Sequence, residues 1–187
     1  MTELPIAQTW SGMEQCVEQG LCKYIGVSNF SVAKLKTLDE TARIAPAVNQ
    51  IELHPYLQQP RMLEYCRERS IVLTAYSPLG SGDRPGGLIQ NDVPELLEDP
   101  VVLQIAAQRG VSPAQVLLSW AIRRGTAVIP KSVNEGRLLE NLAAAEIVLN
   151  DEETDSIAAL DRNMRYITGS FWALEGSGYT MENLWDD

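Results

Sequence analysis

The sequence predicts an α/β fold in which short parallel strands alternate with amphipathic helices. Two observations carry this. Short β-rich runs and stretches with apolar residues at helical spacing follow one another along the chain, the pattern of consecutive βαβ units. The 187 residues are 45% hydrophobic and 21% charged, which suits a compact domain with a real core and not a disordered chain. Residues 1–187 read as a single domain, with no internal repeat, low-complexity segment or linker to divide them. From pattern alone, a doubly wound sheet and part of a barrel both remain open.

Residues 9–20 read as the first helix, since Trp10, Met13, Cys16 and Val17 share a face and Gly20 stops it. Residues 23–28 form a strand. Residues 31–42 are helical again, with Val32, Leu35 and Leu38 on one side and Ser31 as N-cap. A second strand covers residues 47–53. The helix over residues 60–69 opens with Pro60, where a missing N–H costs nothing. A third strand follows at residues 71–76. Residues 77–100 are rich in Gly, Pro and Asp and lack periodicity, as lids and binding loops do. Helices at 101–109 and 113–124 are split by Gly110, with Ser112 capping the second and Pro113 opening it. Residues 126–129 form a fourth strand, and helices at 137–145 and 151–160 end the regular part. Beyond Asp161 the chain is irregular and aromatic (Tyr166, Phe171, Trp172, Tyr179, Trp185), so it needs a surface to pack on.

The net charge is −10 and the isoelectric point about 4.6. Such a surface repels phosphate backbones and anionic lipid, which argues against nucleic acid and membrane as partners. An anionic ligand must then be held where Lys and Arg gather locally. Cys16, Cys22 and Cys66 are odd in number and lack CxxC spacing, so buried reduced thiols and a cytoplasmic setting are expected. No signal peptide is expected at Met1, and no run of about 18 apolar residues exists. One histidine and scattered cysteines make no metal-ligand set.

Four segments then stand out: Gly26-Val-Ser-Asn-Phe30, Asn49-Gln-Ile-Glu-Leu-His-Pro-Tyr56, Ala75-Tyr-Ser-Pro-Leu-Gly80 and Ile129-Pro-Lys-Ser132, the last followed by Arg137 and Glu140-Asn141. In order and approximate spacing they resemble the successive strand-end motifs of aldo-keto reductases. The resemblance covers essentially the whole chain and implies the C-terminal half of a (β/α)8 barrel, about four parallel strands with helices, plus a C-terminal tail. In such a barrel the strand ends face the mouth where ligands bind.

The resemblance also implies an NADP site. Ser28, Asn29 and Gln50 would hold the nicotinamide carboxamide, and Tyr76 would stack on the ring and orient it. Ser77, Leu79 and Ser81 lie beside glycine in a segment suited to pyrophosphate, with Asp83 as a further candidate. Lys131, Ser132 and Arg137 would take the 2′-phosphate, a dianion matched by an ammonium, a hydroxyl and a guanidinium fork. Glu140 and Asn141 would contact the adenine. His54 falls on a position of the family that is not catalytic, and a satisfied structural histidine is expected there.

The family's proton donor is a tyrosine supported by lysine, aspartate and histidine on the first half of the barrel, and no segment here resembles those strand ends. No catalytic residue is therefore expected in this chain, and by itself it should not reduce carbonyls. Two function classes follow. One is an NADPH-dependent oxidoreductase acting on a small-molecule carbonyl, of which this chain is the truncated C-terminal part. The other is a non-catalytic NADP-binding or partner-binding module derived from the family. Exposed half-barrel edges would also favour self-association.

Overall fold

The structure is a computed structural model and describes residues 5–82, 93–176 and 178–185. Its described residues form four strands and seven α-helices. The strands are β1 (Gly26–Ser28), β2 (Val48–Glu52), β3 (Val72–Tyr76) and β4 (Ala127–Val128). The helices are α1 (Ile6–Glu18), α2 (Val32–Asp39), α3 (Pro60–Glu68), α4 (Pro100–Arg109), α5 (Pro113–Arg123), α6 (Glu135–Ala143) and α7 (Asp151–Ala158). Short 3₁₀ turns at Leu96–Glu98, Ala144–Glu146 and Ser170–Trp172 complete the regular structure.

All four strands run parallel, in the order β1-β2-β3-β4. β1 pairs with β2 from Gly26↔Val48 to Ser28↔Gln50, and β3 pairs with β4 at Thr74↔Ala127 and Ala75↔Val128. The Val72 N–H donates to the Ala47 carbonyl at 2.9 Å, and the Leu53 N–H to the Tyr76 carbonyl at 3.4 Å. A parallel sheet of strands each followed by helices is the partial barrel that the sequence predicted.

The chain gathers into two compact units. The first comprises Met1–Ile51, Pro60–Val72 and Thr168–Asp187. Its core is Trp10, Ile25 and Leu38, with Ile6, Val17 and Ile44 packed against them. α1 begins earlier than its apolar periodicity suggests, because the Pro5 carbonyl already accepts the N–H groups of Gln8 and Thr9. β1 is shorter than expected, since Lys23 and Tyr24 are exposed and only residues from Gly26 meet β2. A Cβ at Gly26 would lie 2.6 Å from the Val48 carbonyl oxygen, so glycine sets how closely these strands approach. Ser31 caps α2 by accepting from the Lys34 N–H at 3.1 Å. Glu14, 3% exposed, accepts from the backbone N–H groups of Arg43 (2.6 Å) and Ile44 (3.0 Å) and from the Arg43 guanidinium. The Ile44 N–H above all holds its carboxyl below the usual range.

The second unit comprises Glu52–Gln59 and Leu73–Ile167. α4 and α5 form a hairpin turned by Gly110 at φ 66°. Ser112 and Gln115 make a reciprocal capping box, and Leu117, Leu118 and Trp120 are fully buried. Asp99 caps α4 and also accepts the Tyr56 hydroxyl proton at 2.6 Å. A second capping box, Asn150 with Glu153, starts α7, and Arg109 grips the Glu153 carboxylate with Nε at 2.6 Å and Nη2 at 2.5 Å.

The expectation of three buried thiols holds for Cys66, whose burial pushes it up to about 11. Cys16 and Cys22 are half-buried, because each sits where α1 or its following turn meets solvent. The aromatic tail packs in part: Tyr166 is buried, whereas Phe171, Trp172 and Tyr179 keep large exposed faces. Among the described residues no helix is long and apolar enough to cross a membrane.

Candidate cofactor-binding site

The expected site residues fall into three groups, each at the C-terminal end of a strand. In the first unit, Ser28 and Gln50 are a register pair. The Gln50 carbonyl accepts from the Ser28 hydroxyl (3.0 Å) and from the Asn29 N–H (2.9 Å). Asn29 turns the chain with φ 57°, a conformation asparagine tolerates better than most residues. Asn49, fully buried, stabilises that turn from the other face of β2. Its Nδ2 donates to the Phe30 carbonyl at 2.9 Å and its Oδ1 accepts from the Phe30 N–H at 3.4 Å. Polar side chains of Ser28, Asn29 and Gln50 are thereby placed on a rigid strand-end turn.

In the second unit, Tyr76 is the last residue of β3 and is half-buried. Burial raises its hydroxyl pKa well above the ordinary tyrosine value, and the Glu52 carboxylate adds to the shift. The ring is a neutral, flat surface at any physiological pH. Ser77, Gly80 and Ser81 then carry φ of 52°, 87° and 50°, so three of five residues are left-handed. The Ser81 hydroxyl donates to the Ser77 hydroxyl, and the Gly80 N–H donates to the Ser77 carbonyl at 3.0 Å. Leu79 is half-buried within this tight loop. Non-glycine residues held in that region store strain, which collects where backbone must be presented to a ligand. Asp83 lies outside the described residues.

β4 pairs with β3 and leads directly to Lys131 and Ser132, at the same sheet end as Tyr76. α6 starts at Glu135, ahead of the expected residue 137, because Asn134 caps it by accepting from the Arg137 N–H at 3.0 Å. Ser132 supports the cap by accepting from the Asn134 N–H at 3.2 Å. Arg137 therefore occupies the first turn, exposed, where acidic residues are the usual choice. Glu140 is exposed and gives its carbonyl to Gln115 Nε2 at 3.1 Å, and Asn141 is half-buried one position on. An ammonium, a hydroxyl and a guanidinium at the positive end of a helix dipole make a donor set suited to a phosphate dianion.

His54 is buried with Nε2 3.0 Å from Glu52 Oε1, but among the described residues its Nδ1 has no hydrogen-bond partner. It is a structural histidine satisfied on one side only. Asn49 and Glu52 were not nominated by motif reasoning. Glu52 could have been noticed, since it lies two residues beyond Gln50 and so faces the same side of β2.

The model of the aldo/keto reductase family matches residues 1–162. The chain belongs to the aldo/keto reductase family. It is 56% identical over 186 residues to Aldo/keto reductase slr0942 of Synechocystis sp., covering 100% of this chain and 57% of that protein. It is 43% identical over 160 residues to Aldo-keto reductase family 1 member A1 of Mus musculus, covering 86% of this chain and 49% of the relative. With Aldo-keto reductase family 1 member C15 of Rattus norvegicus it shares 42% identity over 176 residues, 93% of this chain and 54% of the relative. The chain thus spans about half the length of the curated relatives it matches. Three buried tyrosines of this aldo/keto reductase chain have their hydroxyls engaged, Tyr56 to Asp99, Tyr65 to Asp39 and Tyr166 to the Pro94 carbonyl.

Proposed function

We propose that this chain is the cofactor-holding part of an NADPH-dependent carbonyl reductase. The observation that carries the reading is the start of α6: Lys131 and Ser132 lie just ahead of the helix and Arg137 in its first turn, beside the single acid Glu135, in a chain of net charge −10. That donor set fits the 2′-phosphate of NADP, and family membership supports it. Lys131, Ser132 and Arg137 hold the phosphate, and Glu140 and Asn141 border the adenine. The strained Ser77–Ser81 loop, with Leu79, presents backbone N–H groups and hydroxyls to the pyrophosphate. Tyr76 offers its flat face to the nicotinamide, and Ser28, Asn29 and Gln50 orient the carboxamide. When bound, NADPH supplies the hydride that turns a small-molecule carbonyl into an alcohol.

Negative charge that builds on the carbonyl oxygen requires a proton donor. Tyr56, Tyr65 and Tyr166 do not serve, since their hydroxyls are committed to internal acceptors. These 187 residues, one partial domain of the family in a cytoplasmic setting, then bind the cofactor without turning substrate over.

Titration of the purified chain with NADPH and with NADH, followed by tryptophan fluorescence, tests the reading. NADPH should bind at least about tenfold more tightly, the worth of one charge-assisted contact. Equal affinity, or no binding of either, overturns it. In an aldehyde-dependent NADPH oxidation assay the chain should be silent, while a version extended by the preceding part of a family barrel should turn over.

A further inference from the structure

The carboxylate of Glu52 is completely buried close to Tyr76, and it is not itself one of the proposed cofactor contacts. Burying a carboxylate is costly unless hydrogen bonds satisfy it. Here the donors come from far along the chain. The Tyr166 N–H donates to Glu52 Oε1 at 2.6 Å, and the Ile167 N–H reaches Oε1 at 3.3 Å and Oε2 at 3.2 Å. His54 Nε2 adds a contact at 3.0 Å, and its ring packs on that of Tyr166 with centroids 4.8 Å apart. The end of β2 thus fixes one residue of the tail in place.

The seated Tyr166 touches both sides of the connection that follows β3. A Cβ built on Gly80 would lie 3.2 Å from Cε2 and from Cζ of the Tyr166 ring and 3.2 Å from Leu96 Cβ, so the ring is one of the two walls against which this glycine turns. The Tyr166 hydroxyl donates to the Pro94 carbonyl at 2.8 Å. One side chain therefore braces the Ser77–Ser81 loop where it turns and holds the backbone where the described chain resumes.

We propose that Glu52 and Tyr166 are positioning residues for the pyrophosphate of the dinucleotide. Glu52 seats Tyr166 through two backbone N–H groups, and Tyr166 sets the left-handed turn at Gly80 that aims the loop N–H groups. Neither side chain touches the cofactor. The inference rests on the NADPH reading above for its ligand, and on the contacts alone for its geometry.

Two variants of the full chain test it, Tyr166→Leu, which removes the ring that faces Gly80 together with the bond to Pro94, and Glu52→Gln, which replaces one acceptor oxygen by a donor. Affinity is measured for NADPH and for adenosine 2′,5′-bisphosphate, which carries the 2′-phosphate but no pyrophosphate. Both variants should bind NADPH about tenfold more weakly and the bisphosphate within about twofold of the parent, a split that general loosening of the fold cannot produce. Amide hydrogen exchange at Gly80 should quicken in both. Unchanged exchange at Gly80, unchanged NADPH affinity, or equal loss for the two ligands would overturn the proposal. A parent chain that binds neither ligand refutes the NADPH reading, and exchange at Gly80 then decides the seat by itself. Should Glu52→Gln fail to fold, Tyr166→Leu carries the decision.

Discussion

Replacement of Arg137 by alanine separates a cofactor role from a structural one. Its backbone N–H, not its side chain, completes the Asn134 cap, and α6 has no buried residue. Alanine is the best helix former, so the substitution should leave the melting temperature within about 2 °C. The guanidinium lies exposed on the first helical turn, where solvent screens it, which places its worth near the lower end of a charge-assisted contact, about 1.5 kcal/mol. NADPH should therefore bind about tenfold more weakly, whereas NADH, lacking the 2′-phosphate, should lose less than about twofold. The contact is ionic, so the penalty should shrink as salt rises toward about 1 M. Isothermal titration with both dinucleotides at two salt concentrations measures all of this. Equal loss for NADPH and NADH would show that Arg137 does not read the phosphate.

Asn49→Ala should destabilise the chain by about 1–3 kcal/mol in urea unfolding, since both polar groups of Phe30 lose their buried partner. An effect near zero would mean water replaces the amide. Glu14 and Glu153 have carboxyls held below the ordinary value of 4.5, by the Ile44 N–H and by Arg109 respectively. Folded values below the unfolded one make this stabilisation complete above pH 4.5 and lost as pH falls through the folded values. The urea midpoint should thus drop on acidification, and Glu153→Gln should flatten that profile; an unchanged slope counts against the pairing. Leu138, Leu139 and Leu142 of α6 are largely exposed, and β4 is an edge of the sheet. Sedimentation of the isolated chain should show concentration-dependent self-association, and a clean monomer at all micromolar concentrations would refute this.

Local rules made much of the fold legible. Ser31 and Ser112 cap the helices that their hydroxyls announced, and Pro60, Pro113 and Gly110 mark the boundaries expected of them. Strand ends were overestimated because Lys23 and Tyr24 lie exposed ahead of the paired register, and Ile25 serves the core with only its carbonyl paired, to the Ala47 N–H at 2.8 Å. The Asp99 cap closes a stretch without periodicity, and the Asn134 cap precedes a first turn whose Arg137 runs against the usual acidic start signal, so neither has a clear local signature. At the site, motifs located strand-end residues well, but the backbone strain at Ser77 and Ser81 has no signature in residue type. Contacts such as Glu52 with Tyr166, 114 positions apart, are invisible to any local pattern. They arise only once the sheet has placed the end of β2 beside the tail.

The first unit is assembled from three separated stretches, and its third stretch begins at Thr168. Within it, Lys34 Nζ donates to the Leu184 carbonyl at 2.9 Å and Trp185 Nε1 to the Thr168 carbonyl at 2.7 Å. The second unit ends at Ile167. On the ribosome the order of completion is therefore inverted: the unit begun first waits for residues made after the second unit is whole. At roughly 5–20 residues per second, the stretch from 168 to 185 adds about 1–4 s during which α2 lacks its latch. A nascent chain stalled in that interval would offer the first unit, not the second, to chaperones and proteases.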